Sequence, residues 1–257
     1  MNPSAALKRL LDDRAALYNT PAFIPADPVS IPHRFSKKQD IEIAGFFAAT
    51  LAWGIRTTII NNCSRLMSWM DNAPHDFILH HQPEELKKML GFVHRTFNAT
   101  DLLYFIETLQ RHYQYHDSLE DAFVPQEHLA ADNIGPALIH FHNYFFSGEH
   151  PERTRKHVST PARGSACKRL CMFLRWMVRR DESGVDFGIW KKISPAQLVC
   201  PLDVHVARVA HRLGLIEEEK ANWRNAVALT DTLRQLRPED PAVYDYALFG
   251  LGAEERF

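Results

Sequence analysis

The sequence predicts an all-α protein, on three observations. Apolar residues recur three and four positions apart along almost the whole chain, the period of a helix face. Alternating or β-branched runs, which would mark strands, are nearly absent. Cap residues, prolines and glycines fall where helices of this kind would start and stop. With 257 residues, 46% of them hydrophobic, the chain can bury a sizeable core as one large domain or two small ones, which excludes disordered, collagen-like and coiled-coil classes.

The N-terminus, residues 1 to 18, sets Lys8, Arg9, Asp12, Asp13 and Arg14 among apolar residues at helical spacing, unlike a secretory signal. Residues 40 to 53 and 57 to 70 read as one or two helices around Gly54. Ile43, Phe46, Phe47, Thr50 and Leu51 lie on one stripe, and Ile59, Ile60, Cys63, Leu66 and Met67 on another, with Pro74 expected to close the pair. Further helices are expected at 83 to 90, at 100 to 114, opened by Thr100 or Asp101, and at 132 to 146. Ala166 to Arg180 is strongly amphipathic: Leu170, Cys171, Phe173, Leu174, Met177 and Val178 form a core face, leaving Lys168, Arg175 and Arg179 outward. Ser194-Pro-Ala-Gln197 carries the cap, proline and glutamine of a helix start. Asp203 is the expected N-cap of a helix that ends at Gly214. A last helix runs from Ala242 to Leu251, after Pro238 and Pro241.

The longest uncharged run near the start, Ile43 to Ile55, is 13 residues, whereas a membrane span needs about 20. A cytoplasmic protein without membrane attachment is expected. Its four cysteines contain no C-x-x-C pair and are read as reduced thiols.

The net charge of −1 conceals a segregation. Residues 1 to 150 carry −5 and residues 193 to 257 carry −3. Between them, residues 151 to 192 set 11 basic side chains against 4 acidic ones, a local +7. A basic stretch of this kind attracts phosphate backbones, although long cations also simply solvate helix faces. Within it, Gly164 to Ala166 form a small-residue turn just before a helix, where a phosphate could approach backbone N–H groups.

Two segments carry a specific resemblance. Gly164-Ser-Ala-Cys-Lys168, followed by an apolar helix, and then Pro201-Leu-Asp-Val-His-Val-Ala-Arg-Val-Ala-His-Arg-Leu-Gly214, resemble the core of the helix-hairpin-helix DNA glycosylases. That superfamily includes endonuclease III, the adenine glycosylase of mismatches and the 8-oxoguanine glycosylases. It carries a catalytic lysine after a Gly-x-Gly turn and a catalytic aspartate at the start of the next helix. Phe46-Phe-Ala-Ala-Thr-Leu-Ala-Trp-Gly54 resembles the helix entry that supplies a wedge into the duplex. Tyr244-Asp-Tyr-Ala-Leu-Phe-Gly250 resembles the terminal helix that lines the base pocket. The pattern also resembles a bacterial family of conserved proteins with no assigned activity.

The resemblance implies a two-lobed helical glycosylase-like fold. A central lobe of about residues 43–170 would end in the hairpin, and residues 1–42 would join about 171–257 in the other, with the catalytic pair in the cleft between. It implies Lys168 and Asp203 as catalytic residues. Arg163, Gly164, Ser165, Ala166, Arg169, Trp53 and Arg208 would bind DNA, and Phe249 and Asp245 would line the base pocket; His205 would support or pack. The implied partner is double-stranded DNA with a damaged base, met by a monomer needing no cofactor or metal. The chain departs from the pattern in having Ala166 where the second hairpin glycine usually stands, and in lacking the four-cysteine cluster of an iron–sulfur centre. Lys168 and Asp203 are 35 positions apart, a spacing similar to the archaeal 8-oxoguanine branch.

The chemistry explains the pairing. An N-glycosidic bond breaks through an oxocarbenium-like state that a carboxylate stabilises. A lysine amine, more easily deprotonated beside a cation such as Arg169, can attack C1′ and form a Schiff base. Two other readings use the same residues differently. A non-catalytic helix-hairpin-helix module would bind DNA through phosphates alone. The dipeptides His75-Asp76 and His116-Asp117, expected in loops, would belong to an all-α metal phosphohydrolase.

Overall fold

The computed structural model describes residues 4–124, 131–255 and 257. It is mostly helical. The one sheet among the described residues is a two-residue antiparallel pair, β1 (Val93–His94) and β2 (Phe97–Asn98), closed by Arg95 in a left-handed conformation.

The chain divides into two compact units. One comprises Pro25–Gln126 and His140–Ser159; the other comprises Met1–Ile24, Glu127–Ile139 and Thr160–Phe257. Three segments therefore fall differently from the expected division, one of them being residues 131–139, which belong with the termini although they lie in the middle of the chain. Residues 25–42 belong with the middle of the chain, because Val29 and Ile31 in the 3-10 turns there are buried against the helix that follows. Residues 160–170 belong with the termini, because the Gly164 turn is tied to Asn222 and Trp223.

In the unit of residues 25–126 and 140–159, helices α2 (Lys38–Thr50), α3 (Arg56–Trp69), α4 (Pro74–His80), α5 (Pro83–Leu86) and α6 (Ala99–Tyr113) precede the C-terminal part of α7 (Gly135–Phe145). Gly54, at φ 107°, makes the break between α2 and α3 that only glycine adopts readily. Pro74 does not end a helix; it is the first residue of α4, where its missing N–H goes unused. For the same reason His75 and Asp76 are helical rather than in a loop. Neither expected residue caps α6. Asn98 does, and Asp101 returns a bond to the Asn98 N–H to close a capping box. The core is aromatic: Phe46 stacks on Phe105 at 5.5 Å and meets Phe141 edge-on at 5.6 Å.

The other unit contains α1 (Ala5–Tyr18), α8 (Lys168–Val178), α9 (Val204–Arg212), α10 (Trp223–Leu236) and α11 (Tyr244–Phe249), which continues into a π-helical turn, Gly250–Glu254. Helix α10 has no counterpart in the sequence reading. Ser194 caps a short 3-10 turn with Gln197, and Gly214, at φ 69°, ends α9 as expected. No helix among the described residues is long and apolar enough to cross a membrane. All four cysteines are buried free thiols.

Helix α8 corrects one expectation outright. Arg175 and Arg179 do not face outward; they are 4% and 1% exposed. Met172 and Trp176 are buried as well as the predicted core face, so every turn after the first is enclosed and its arginines need internal partners.

Candidate active site

Asp203 sits where the chain turns into α9. Its Oδ1 accepts from the backbone N–H groups of His205 and Val206, at 2.9 and 3.0 Å. That is N-cap geometry, and it fixes the carboxylate. The second oxygen, Oδ2, lies 3.9 Å from the Lys168 Nζ. Lys168 is the first residue of α8, and its ammonium also rests 3.8 Å from the Met172 sulfur one turn on. Two helix starts thus bring the predicted lysine and aspartate together, with both side chains about one-third exposed.

The turn before α8 explains the lysine's position. Thr160 caps a 3-10 turn, Pro161–Arg163, which Gly164 ends in a left-handed conformation at φ 74°. The Gly164 carbonyl accepts from the Trp223 N–H at 3.1 Å, and Ser165 pairs with Asn222. Ser165 Oγ accepts from the Cys167 N–H at 3.2 Å. Cys167 is itself left-handed, at φ 50°, a conformation that a non-glycine residue holds only where its surroundings enforce it. Arg163 and Gly164 are exposed and Ser165 half-buried, whereas Ala166 is buried. Arg169 is half-buried, and desolvation lowers its guanidinium pKa to about 10.

Asp203 also borders a cavity of about 450 Å³, lined with it by His205, Arg208, Arg212, Leu248 and Phe249 among others. Phe249 therefore shares a cavity with Asp203. Asp245 does not: it is buried against Arg175, the adjacent turn of α11 having turned it inward. Burial raises its pKa, opposed by Arg175 and then Lys168. Trp53 belongs to the other unit, where it is half-buried, its ring edge-on to His94 at 4.9 Å and its carbonyl bonded to the His94 Nε2.

Sequence reasoning missed the buried ion network on α8. The Arg179 Nε donates to both oxygens of Asp240, at 3.0 and 2.9 Å. Its Nη1 reaches Asp186 at 2.8 Å and its Nη2 reaches Asp181 at 2.5 Å. Arg175 bridges Asp186 and Asp245. On α9 it named Arg208 and His205 but missed Arg212, which recurs with them at helical spacing and lines the same cavity. The His-Asp dipeptides bond locally: His75 Nδ1 pairs with Lys37, Asp76 faces His80, and His116 faces Asp121. Among the described residues no group of three or more His, Cys, Asp or Glu side chains is placed to hold a metal ion.

The site is thus of the class in which an amine and a carboxylate are held at one partly open position on helical elements. The chain belongs to a family, Protein of unknown function (DUF2400), whose model matches residues 27–254. No curated protein and no solved structure matches it.

Proposed function

We propose that this protein is a DNA repair glycosylase with associated abasic-site lyase activity, and that oxidised purine is the base it removes. The observation that carries this reading is the 3.9 Å approach of Lys168 Nζ to Asp203 Oδ2 at two helix starts. Reacting groups must lie within one sugar's width of each other, and these do.

In the proposed reaction the neutral Lys168 amine attacks C1′ and forms a C–N bond. The N-glycosidic bond breaks, and the base leaves with its electron pair and takes up a proton. Asp203 stabilises the positive charge that develops on the sugar. The amine then loses a proton as the sugar ring opens to the Schiff base, from which β-elimination expels the 3′ phosphate. Arg163, Gly164, Ser165 and Arg169 supply the face toward the DNA backbone, Ala166 packs beneath it, and Phe249 supplies a stacking surface for the base after it leaves the helix. The DNA partner is met by a monomer.

Borohydride trapping on duplexes carrying an abasic site or 8-oxoguanine tests the reading. A covalent adduct with the wild type that Lys168→Gln abolishes is the expected result, and no adduct at all overturns the lyase step. One observation favours a second reading: Asp203 Oδ1 already serves as a cap, so its presence needs no catalysis. Salt-sensitive DNA binding that survives Lys168→Gln and Asp203→Asn, without base release, would select that non-catalytic module.

A further inference from the structure

Arg175 and Arg179 are buried among carboxylates. Arg208, in the same unit, is half-buried, and its Nε is shielded from solvent with neither a hydrogen bond nor a carboxylate set against it among the described residues. A shielded donor that the chain itself leaves unused is available to an acceptor on a ligand. The cavity it borders shows which kind of ligand. Asp203 stands at one edge; Phe249 and Leu248 give apolar and aromatic wall; His205, Arg208 and Arg212 give donors. Gly252 completes the enclosure, because a Cβ there would sit 3.1 Å from Val209 Cγ2, so the absence of a side chain lets the C-terminal turn close down on α9. A volume of about 450 Å³ is within the range that holds a small organic ligand.

From these observations we propose that Arg208 reads the base: its guanidinium donates to the O6 carbonyl of a base stacked on Phe249, selecting keto purines over amino purines. This rests on the glycosylase reading above and assigns the chemistry of its pocket. A planar guanidinium donates in a fork and accepts nothing. It therefore matches the O6 carbonyl of a keto purine such as 8-oxoguanine, and mismatches adenine and 8-oxoadenine, whose exocyclic amine at that position would oppose it donor to donor. Arg208 is half-buried as a whole, but its Nε is shielded beside an aromatic-walled cavity, which favours a stacked base over a phosphate as the partner of that end of the guanidinium.

The test uses the full chain in a Lys168→Gln background, so that nothing is turned over. Binding is read by fluorescence anisotropy on four matched duplexes: undamaged, 8-oxoguanine, 8-oxoadenine and a tetrahydrofuran abasic analogue. The expected parent binds 8-oxoguanine at least tenfold more tightly than 8-oxoadenine. Arg208→Gln should lose about tenfold or more on 8-oxoguanine and less than twofold on the abasic analogue, with Arg208→Lys between. Thermal melting of each variant confirms that it is folded. Equal losses on both lesions, with a shallower salt dependence, assign Arg208 to a phosphate and overturn the proposal. A parent preference for 8-oxoguanine that survives Arg208→Gln overturns it while leaving the glycosylase reading standing. A parent that prefers no lesion over undamaged DNA overturns both.

Discussion

At the first turn of α8 the Lys168 ammonium is about a quarter exposed and faces a single carboxylate at 3.9 Å, whereas Arg175 and Arg179, two and three turns on, are enclosed by four aspartates. One helix therefore carries cations in two states. The far end has its donors committed to Asp181, Asp186, Asp240 and Asp245, and a committed, desolvated ion network holds structure rigidly. The near end is loosely paired and open to solvent, which is what a group must be if it is to take part in a reaction. The +7 of residues 151 to 192 is thus not all available to a polyanion. Part of it is neutralised from within by Asp181 and Asp186 and part from the acidic tail by Asp240 and Asp245.

The comparison breaks most readily at Arg179. Arg179→Met leaves the buried carboxylates of Asp186 and Asp240 without their shared cation, beside the half-buried Asp181, and should lower stability by about 3–5 kcal/mol in a guanidinium titration. A loss below about 1 kcal/mol would mean that the network is not what holds this end together. A second effect is pH-dependent. Burial pushes the Asp240 carboxyl up to about 6, against the pull of Arg179. The folded protein then holds this proton more tightly than the unfolded chain does. The contribution is full below about pH 4 and is lost as pH rises through 6, a swing of up to about 3 kcal/mol. Asp240→Asn should remove that slope between pH 4 and 7, measured as the difference between the two proteins' stability profiles.

At the open end the expected effects on stability are smaller. Asp203→Ala removes the α9 cap and should cost about 1 kcal/mol, while Asp203→Asn, which caps as well, should stay within about 0.5 kcal/mol. Both should abolish base release, so the asparagine variant separates the cap from the chemistry. Smallest of all, Lys168→Gln should leave the melting temperature nearly unchanged, within about 0.5 kcal/mol, as it eliminates the borohydride adduct.

The helix periods, the Asp203 cap, the Gly214 stop and the Ser194 capping box were legible because each depends on residues close in sequence. The pairing of Lys168 with Asp203 was legible only through the resemblance of two motifs, since nothing in a spacing of 35 shows that two side chains meet. The fates of Arg175, Arg179 and Asp245 were not legible. Period 3.6 separates core from surface on a one-sided helix, but α8 is enclosed from its third residue onward, and the aspartates that make this tolerable lie up to 70 positions away. Helix α10 was legible and was overlooked: Ala226, Leu229, Thr230 and Leu233 recur at three and four, and Asn222 is an N-cap residue whose side chain accepts from the Asn225 N–H.

The cavity beside Asp203 also carries a constraint on when it can form. Tyr18 packs so closely on Gly250 that a Cβ there would lie 2.1 Å from the ring, and Arg14 and Tyr18 both bond Glu255. The turn that frames the cavity is thus seated on a helix made more than 230 residues earlier. On the ribosome, α1 cannot complete its packing until that turn emerges, so this part of the molecule closes late in synthesis.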